Sequence, residues 1–303
     1  MRRLSRANEQ NTLMSAPILF SKIYLSLSGE STHGKPPIVV MLHGWGFNHA
    51  VWAQTAQYLS SEPHRLEVHC IDLPGHGKSA ELDGWKRPKI GHLQAISEIT
   101  LEQTIDALFT YISALAQPVA LMGWSLGGLI AMQFALQYPK LVSKLVLVSS
   151  TPCFQARNDW AHAMAAQTLA DFSQRLQANQ AGTIRSFLCL QMLNLPNAKS
   201  VAQTLSRQLQ SHGEASANAL TTWLSVLEHT DIRAEIHRLA ATPMLIVQGG
   251  RDMLVPVACG DFLNGALPHA QYLRIDSAAH APFISHAAIF ETHLSQFLNS
   301  APA

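Results

Sequence analysis

The chain has 303 residues, enough for one domain with a sizeable insertion or for two. Its 48% hydrophobic and 14% charged content excludes a disordered or nucleic-acid-coating chain, and 21 Lys and Arg against 20 Asp and Glu leave a net charge of only +1, which gives no global reason to expect nucleic acid or an anionic membrane. Cys70, Cys153, Cys189 and Cys259 lie far apart and the 15 histidines form no H-E-x-x-H pattern, so the expectation is buried thiols in a reducing compartment, with no metal and no other cofactor.

Residues 1–16 begin MRRLSRANEQNTLM, basic at first but without the apolar centre of a signal peptide, and read as a flexible extension. No run approaches the roughly 18 apolar residues of a membrane span. A cytoplasmic monomer is the expectation. Residues 18–29 alternate loosely and suggest one or two opening strands, and the continuous apolar run from Ile38 reads as an interior strand ending at His43-Gly44-Trp45-Gly46. A helix is expected over 49–60, a strand over 66–73, and a loop of turn formers over 74–79. Residues 80–97 read as an extended surface loop. An apolar stripe predicts a helix over 98–116, with Thr100 as N-cap and Gln103 as its capping-box partner.

Pro118 to Met122 reads as a buried strand that turns abruptly at Ser125 into a helix, with glycines at 123 and 127. A strand over 144–150 follows. Between Thr151 and Thr230 the pattern changes: 157–179, 182–193, 197–210 and 215–229 all read as helices with no strand between them. Strand and helix then alternate again at 243–250, 257–267, 271–276 and 286–299. The order predicts an α/β fold, a mostly parallel sheet covered on both faces, divided into a first core part (17–152), a helical lid (153–230) and a second core part (231–303).

A serine hydroxyl is a poor nucleophile at neutral pH and needs a base that is itself held by a carboxylate. Ser125 sits on the elbow, Asp252 just past one later strand, and His280 in the loop past the next. Asp252 could instead cap the helix at 257–267, and Asp276 is the second candidate to orient His280. His43 could be a second base, but the preferred reading is structural, its imidazole bonding nearby loop backbone, and His76 reads as a surface or loop-packing residue. The oxyanion formed in acyl transfer needs converging donors, for which the backbone N–H groups of Leu126 and Trp45 are the candidates. The side chains of Trp45 and Leu126, with Trp124, Phe187 and Phe283, could line an apolar channel for a methylene chain.

The stretches HGWGFNHAVW (43–52), IDLPGHGKS (71–79), GWSLGGL (123–129), SSTPCF (149–154), RNDW (157–160), FLCLQML (187–193) and AAHAPFISH (278–286) resemble an α/β-hydrolase. More closely, they resemble the pimeloyl-acyl-carrier-protein methyl ester esterases of biotin synthesis. The resemblance covers about residues 38 to 298 and implies an α/β-hydrolase fold with an inserted helical lid. It implies Ser125 as nucleophile, Asp252 as orienter, His280 as base, and Trp45 with Leu126 as oxyanion donors. It also implies a carrier-protein partner gripped by basic lid residues, for which this chain offers Arg185, Lys199 and Arg207, besides Arg175 and Arg157. Gly182 and Gln203 depart from arginines that the family can carry, and the 80–97 loop, with Lys86, Arg87 and Lys89, is longer than the family's. A broad short-chain carboxylesterase and a carbon–carbon bond hydrolase use the same three residues and stand as the alternative.

Overall fold

The protein is described from a computed structural model, covering residues 19–25, 36–79, 81, 93–191 and 198–300. The expected extension at 1–16 and the loop cations Lys86, Arg87 and Lys89 lie outside these residues. Seven strands form one sheet: β1 (Ser21–Tyr24), β2 (Ile38–Leu42), β3 (Glu67–Ile71), β4 (Val119–Trp124), β5 (Val142–Val148), β6 (Met244–Gly249) and β7 (Gln271–Ile275), in the order β1-β3-β2-β4-β5-β6-β7. Only β1 runs antiparallel, against β3; the other pairs are parallel.

The unbroken apolar runs follow from burial of both sheet faces. Val40, Leu42, Leu121, Leu145, Leu147 and Ile246 belong to one core cluster, while their neighbours Val39, Met41, Met122, Val146, Val148 and Val247 belong to a second. Alternate residues point to opposite faces, so a strand buried on both must be apolar at every position. Each such side chain contributes about 1.5–3 kcal/mol on burial.

Helices α1 (Ala53–Ser60), α2 (Leu93–Ala114) and α3 (Leu126–Gln137) connect the first strands. The structure corrects two expectations here. Because α2 starts at Leu93, the 80–97 segment is not wholly loop, and Thr100 is no cap but lies inside the helix, where its carbonyl accepts the Thr104 hydroxyl at 2.8 Å. Four helices stand between β5 and β6: α4 (Ala166–Ala178), α5 (Gln180–Gln191), α6 (Ala198–His212) and α7 (Ala217–His229). The helix expected from 157 begins only at Ala166. Residues 157–160 are instead a turn closed by paired backbone bonds between Arg157 and Trp160 and fastened to the core, since Arg233 pairs with Asp159 at 3.1 Å and Asp231 at 2.7 Å and lies over the Trp160 ring. Helices α8 (Val257–Ala266), α9 (Pro282–Ser285) and α10 (Ala287–Asn299) complete the chain.

Candidate active site

The β4–α3 corner is sharp because two glycines allow it. A Cβ on Gly123 would collide with the backbone of Gly127, and one on Gly127 with the backbone of Leu42. Ser125 between them has φ +54° and ψ −117°, a conformation that costs a non-glycine residue of order 1–3 kcal/mol and persists only when its surroundings hold it. They do so here: the Ser125 N–H donates to Val148 O at 2.9 Å, and Ser125 O accepts the Ser150 hydroxyl at 2.7 Å and the Gly128 N–H at 2.9 Å.

Asp252 and His280 are 28 positions apart but are joined by backbone ties between the loops after β6 and β7. Gly250 N–H donates to Ile275 O and Arg251 N–H to Ala278 O, both at 2.9 Å. His280 Nδ1–H then donates to Asp252 Oδ2 at 2.7 Å, with both side chains buried. Asp252 Oδ1 accepts the Leu254 and Val255 N–H groups at 2.9 Å each, which fixes the carboxylate. Asp252 does not cap α8, whose N-cap is Pro256. Asp276 points to solvent and pairs with Arg274 at 2.7 Å, so it is not the carboxylate behind His280. Among the described residues, nothing is hydrogen-bonded to His280 Nε2, which is buried; the ring's second nitrogen is not joined to the Ser125 hydroxyl.

Ser125 opens onto a cavity of about 280 Å³, lined also by Trp45, Phe154, Phe172, Phe187, Leu224 and Leu254 among others. The Trp45 ring meets Phe172 and Phe187 edge-on, with centroids 5.2 and 5.1 Å apart, and its Nε1–H donates to Leu220 O at 2.9 Å. Thus a turn after β2 and helices α4, α5 and α7 form one aromatic and aliphatic wall. Trp45 and Phe187 lie where the channel was expected. Trp124, Phe283 and the Leu126 side chain do not line the cavity. Trp124 and Phe283 are buried against each other, centroids 5.1 Å apart, and the Trp124 Nε1–H donates to His280 O at 2.8 Å. They brace the histidine loop. Leu126 is fully buried as the first residue of α3, where the N–H has no intrahelical acceptor.

Phe154, Phe172 and Leu254 were not expected at the site. Phe154 ends the SSTPCF stretch and Phe172 lies near Leu169 and Leu176 on α4, but neither place tells that the ring faces a cavity. The two other histidines have different roles. His43 Nε2 accepts the Leu73 N–H at 2.9 Å and its Nδ1–H donates to Gly44 O at 2.8 Å. His76 is buried, not on the surface; its Nε2 accepts the Gly46 N–H at 3.3 Å and its Nδ1–H donates to Pro74 O at 3.1 Å. Burial lowers the first to about 4 and the second to about 3, so both are neutral struts beneath the Trp45 turn.

Of the basic residues expected to meet a carrier, Lys199 and Arg207 are exposed on α6, and the Arg185 side chain lies outside the described residues. Among the described residues, no group of His, Cys, Asp and Glu could hold a metal ion, and no helix is long and apolar enough to cross a membrane.

Comparison with known proteins agrees with this geometry. Residues 37–287 match the family model described as the alpha/beta hydrolase fold. An esterase from Exiguobacterium antarcticum superposes with TM-score 0.78 at 19% identity, over 93% of this chain and 96% of that one. An enol-lactonase from Burkholderia xenovorans LB400 gives 0.75 at 18%, with the same coverage. These two likenesses speak for the fold alone. Proteins named pimeloyl-acyl-carrier-protein methyl ester esterase are much nearer in sequence. The one from Aliivibrio fischeri is 34% identical over 88% of this chain and 96% of its own. That from Klebsiella pneumoniae subsp. pneumoniae is 37% identical over 83% and 90%. The chain therefore belongs to the α/β-hydrolase family and, within it, to the family of the pimeloyl-acyl-carrier-protein methyl ester esterases.

Proposed function

We propose that this chain is a serine carboxylesterase of biotin biosynthesis that hydrolyses the methyl ester of pimeloyl-acyl-carrier protein to methanol and pimeloyl-acyl-carrier protein. The observation that carries the reading is the buried 2.7 Å hydrogen bond from His280 Nδ1–H to Asp252, at the sheet edge where the strained Ser125 meets an apolar cavity. With Nδ1 committed to Asp252, Nε2 is the basic nitrogen. Its hydrogen bond to the serine forms as substrate binds, as is common in hydrolases whose resting geometry is loose.

Ser125 Oγ bonds to the ester carbonyl carbon while its proton passes to His280 Nε2. The oxyanion is received by the Leu126 N–H at the start of α3 and the Trp45 N–H. Collapse breaks the bond to the methoxy oxygen, which leaves as methanol with the proton from Nε2. Water then adds to the acyl-serine, its proton passing to Nε2 and on to Ser125 Oγ, and the free carboxylic acid departs.

Residues 153–230 serve as a lid over this site, a role supported by the contribution of α4, α5 and α7 to the cavity wall. Lys199 and Arg207, with Arg185, serve as the docking face for an acidic carrier protein, which their charge and the exposure of the first two favour. The test is methanol release from methyl pimeloyl-acyl-carrier protein by wild type and Ser125→Ala. The variant is expected to be slower by about 10³-fold or more. Equal rates would overturn the proposal.

A further inference from the structure

One face of α4 carries polar groups into an otherwise apolar cavity. Thr168, Asp171 and Arg175 line it together with Leu169 and Phe172, and spacings of three and four residues put the three on successive turns of one helix face. Thr168 and Arg175 are exposed and Asp171 is half-buried, whereas Ser125, Trp45 and Leu224 are buried. The polar strip therefore lies where the cavity opens to solvent, and the serine lies inside. Among the described residues, no ion pair or side-chain hydrogen bond holds the Arg175 guanidinium. Asp171, one turn earlier, accepts from Gln167 Nε2 at 2.8 Å instead.

We propose that Arg175 makes this mouth a carboxylate subsite, so that the enzyme also hydrolyses free monomethyl esters of α,ω-dicarboxylic acids, with the ester at Ser125 and the far carboxylate at Arg175. A guanidinium presents a planar fork of donors that matches a carboxylate with two parallel hydrogen bonds. The intervening methylenes lie along Phe172, Phe187 and Leu224. Orientation follows from desolvation: a carboxylate pushed toward Ser125 would lose water among apolar side chains, whereas at the mouth it keeps both water and a cation. The uncharged methyl ester is the end that enters. Asp171 opposes this preference and limits it. The chemistry adds no reactant, since water and the half-ester give the dicarboxylate and methanol through the same acyl-serine. The inference rests on ester hydrolysis at Ser125 but needs no carrier protein.

The test compares kcat/KM for monomethyl pimelate and for dimethyl pimelate, at neutral pH and low salt, in wild type, Arg175→Gln and Asp171→Asn. The ratio of the charged to the uncharged ester is expected to fall about five-fold in Arg175→Gln, through KM. It is expected to rise about two-fold or more in Asp171→Asn, and both changes should shrink in high salt. A ratio unchanged in both variants overturns the proposal, as does an Arg175→Gln defect confined to the carrier-bound ester, which would assign the arginine to the carrier's arm. Failure of wild type to hydrolyse either ester would strike at the serine-esterase reading itself and remove this proposal with it.

Discussion

Two carboxylates compete on paper for His280, and their surroundings decide between them. Asp252 is buried, holds two backbone N–H groups on one oxygen and meets His280 Nδ1 with the other. Asp276 is nearer in sequence but spends its charge on Arg274 in solvent, an arrangement worth at most about 1 kcal/mol. Asp252→Asn is expected to lower kcat on an aryl ester by about 10³–10⁴-fold, because an amide no longer holds the imidazole in its basic tautomer. Asp276→Asn should change it by less than about two-fold. A larger loss in Asp276→Asn than in Asp252→Asn would reverse the assignment. The polar residues of the site were legible because their chemistry restricts where they are useful: Ser125, Asp252 and His280 each follow a strand. Trp124 and Phe283 were not, since an aromatic side chain in an apolar motif reads the same whether it faces a ligand or braces a loop. Only its neighbours tell, and here these are His280 and the core rings of Trp52 and Phe290.

Among the elements, those with a long period or a steric requirement were readable. β2, β4 and β6 are runs with no polar side chain until their carboxyl ends, and Gly123 and Gly127 announce a corner that no Cβ could enter. Boundaries set by tertiary contact were harder. Thr100 has the residue type of a cap, but α2 extends a further seven residues toward its N-terminus. Residues 157–165 have helix-compatible composition, yet the Arg157–Trp160 turn and the Arg233 ion pairs take that stretch out of helix. The 3₁₀ segment Arg233–Leu239 and the four-residue α9 are too short to display any periodicity. The four helices between β5 and β6 were legible as a run of helical segments with no strand between them, but not which of their side chains reach the cavity, because that depends on how α4, α5 and α7 pack over the Trp45 turn.

At the scale of the whole molecule, the neutral struts beneath the site link stability to pH. Burial is the main cause that holds His43 at about 4 and His76 at about 3, below the ordinary imidazole value of 6.5; Asp72 pulls both upward, while His49 pushes His43 down further and His43 does the same to His76. Between those values the unfolded chain binds protons that the folded chain refuses. Stability is therefore full above the ordinary value and is lost as pH falls through the window. Asp72 acts lower still. Burial raises it, but hydrogen bonds from His49 and Lys78 hold it below the usual carboxylate range, so its contribution fades only in stronger acid. The urea midpoint is expected to drop between about pH 7 and about pH 5, and less so in His76→Gln. A midpoint independent of pH over that interval would contradict the role given to these histidines. The central claim, that the elbow serine is a nucleophile driven by His280, is tested most directly by peptide mass spectrometry after treatment with a fluorophosphonate. A covalent adduct on Ser125, formed far more slowly in His280→Ala, is the predicted result; active enzyme with Ser125 unmodified would contradict it.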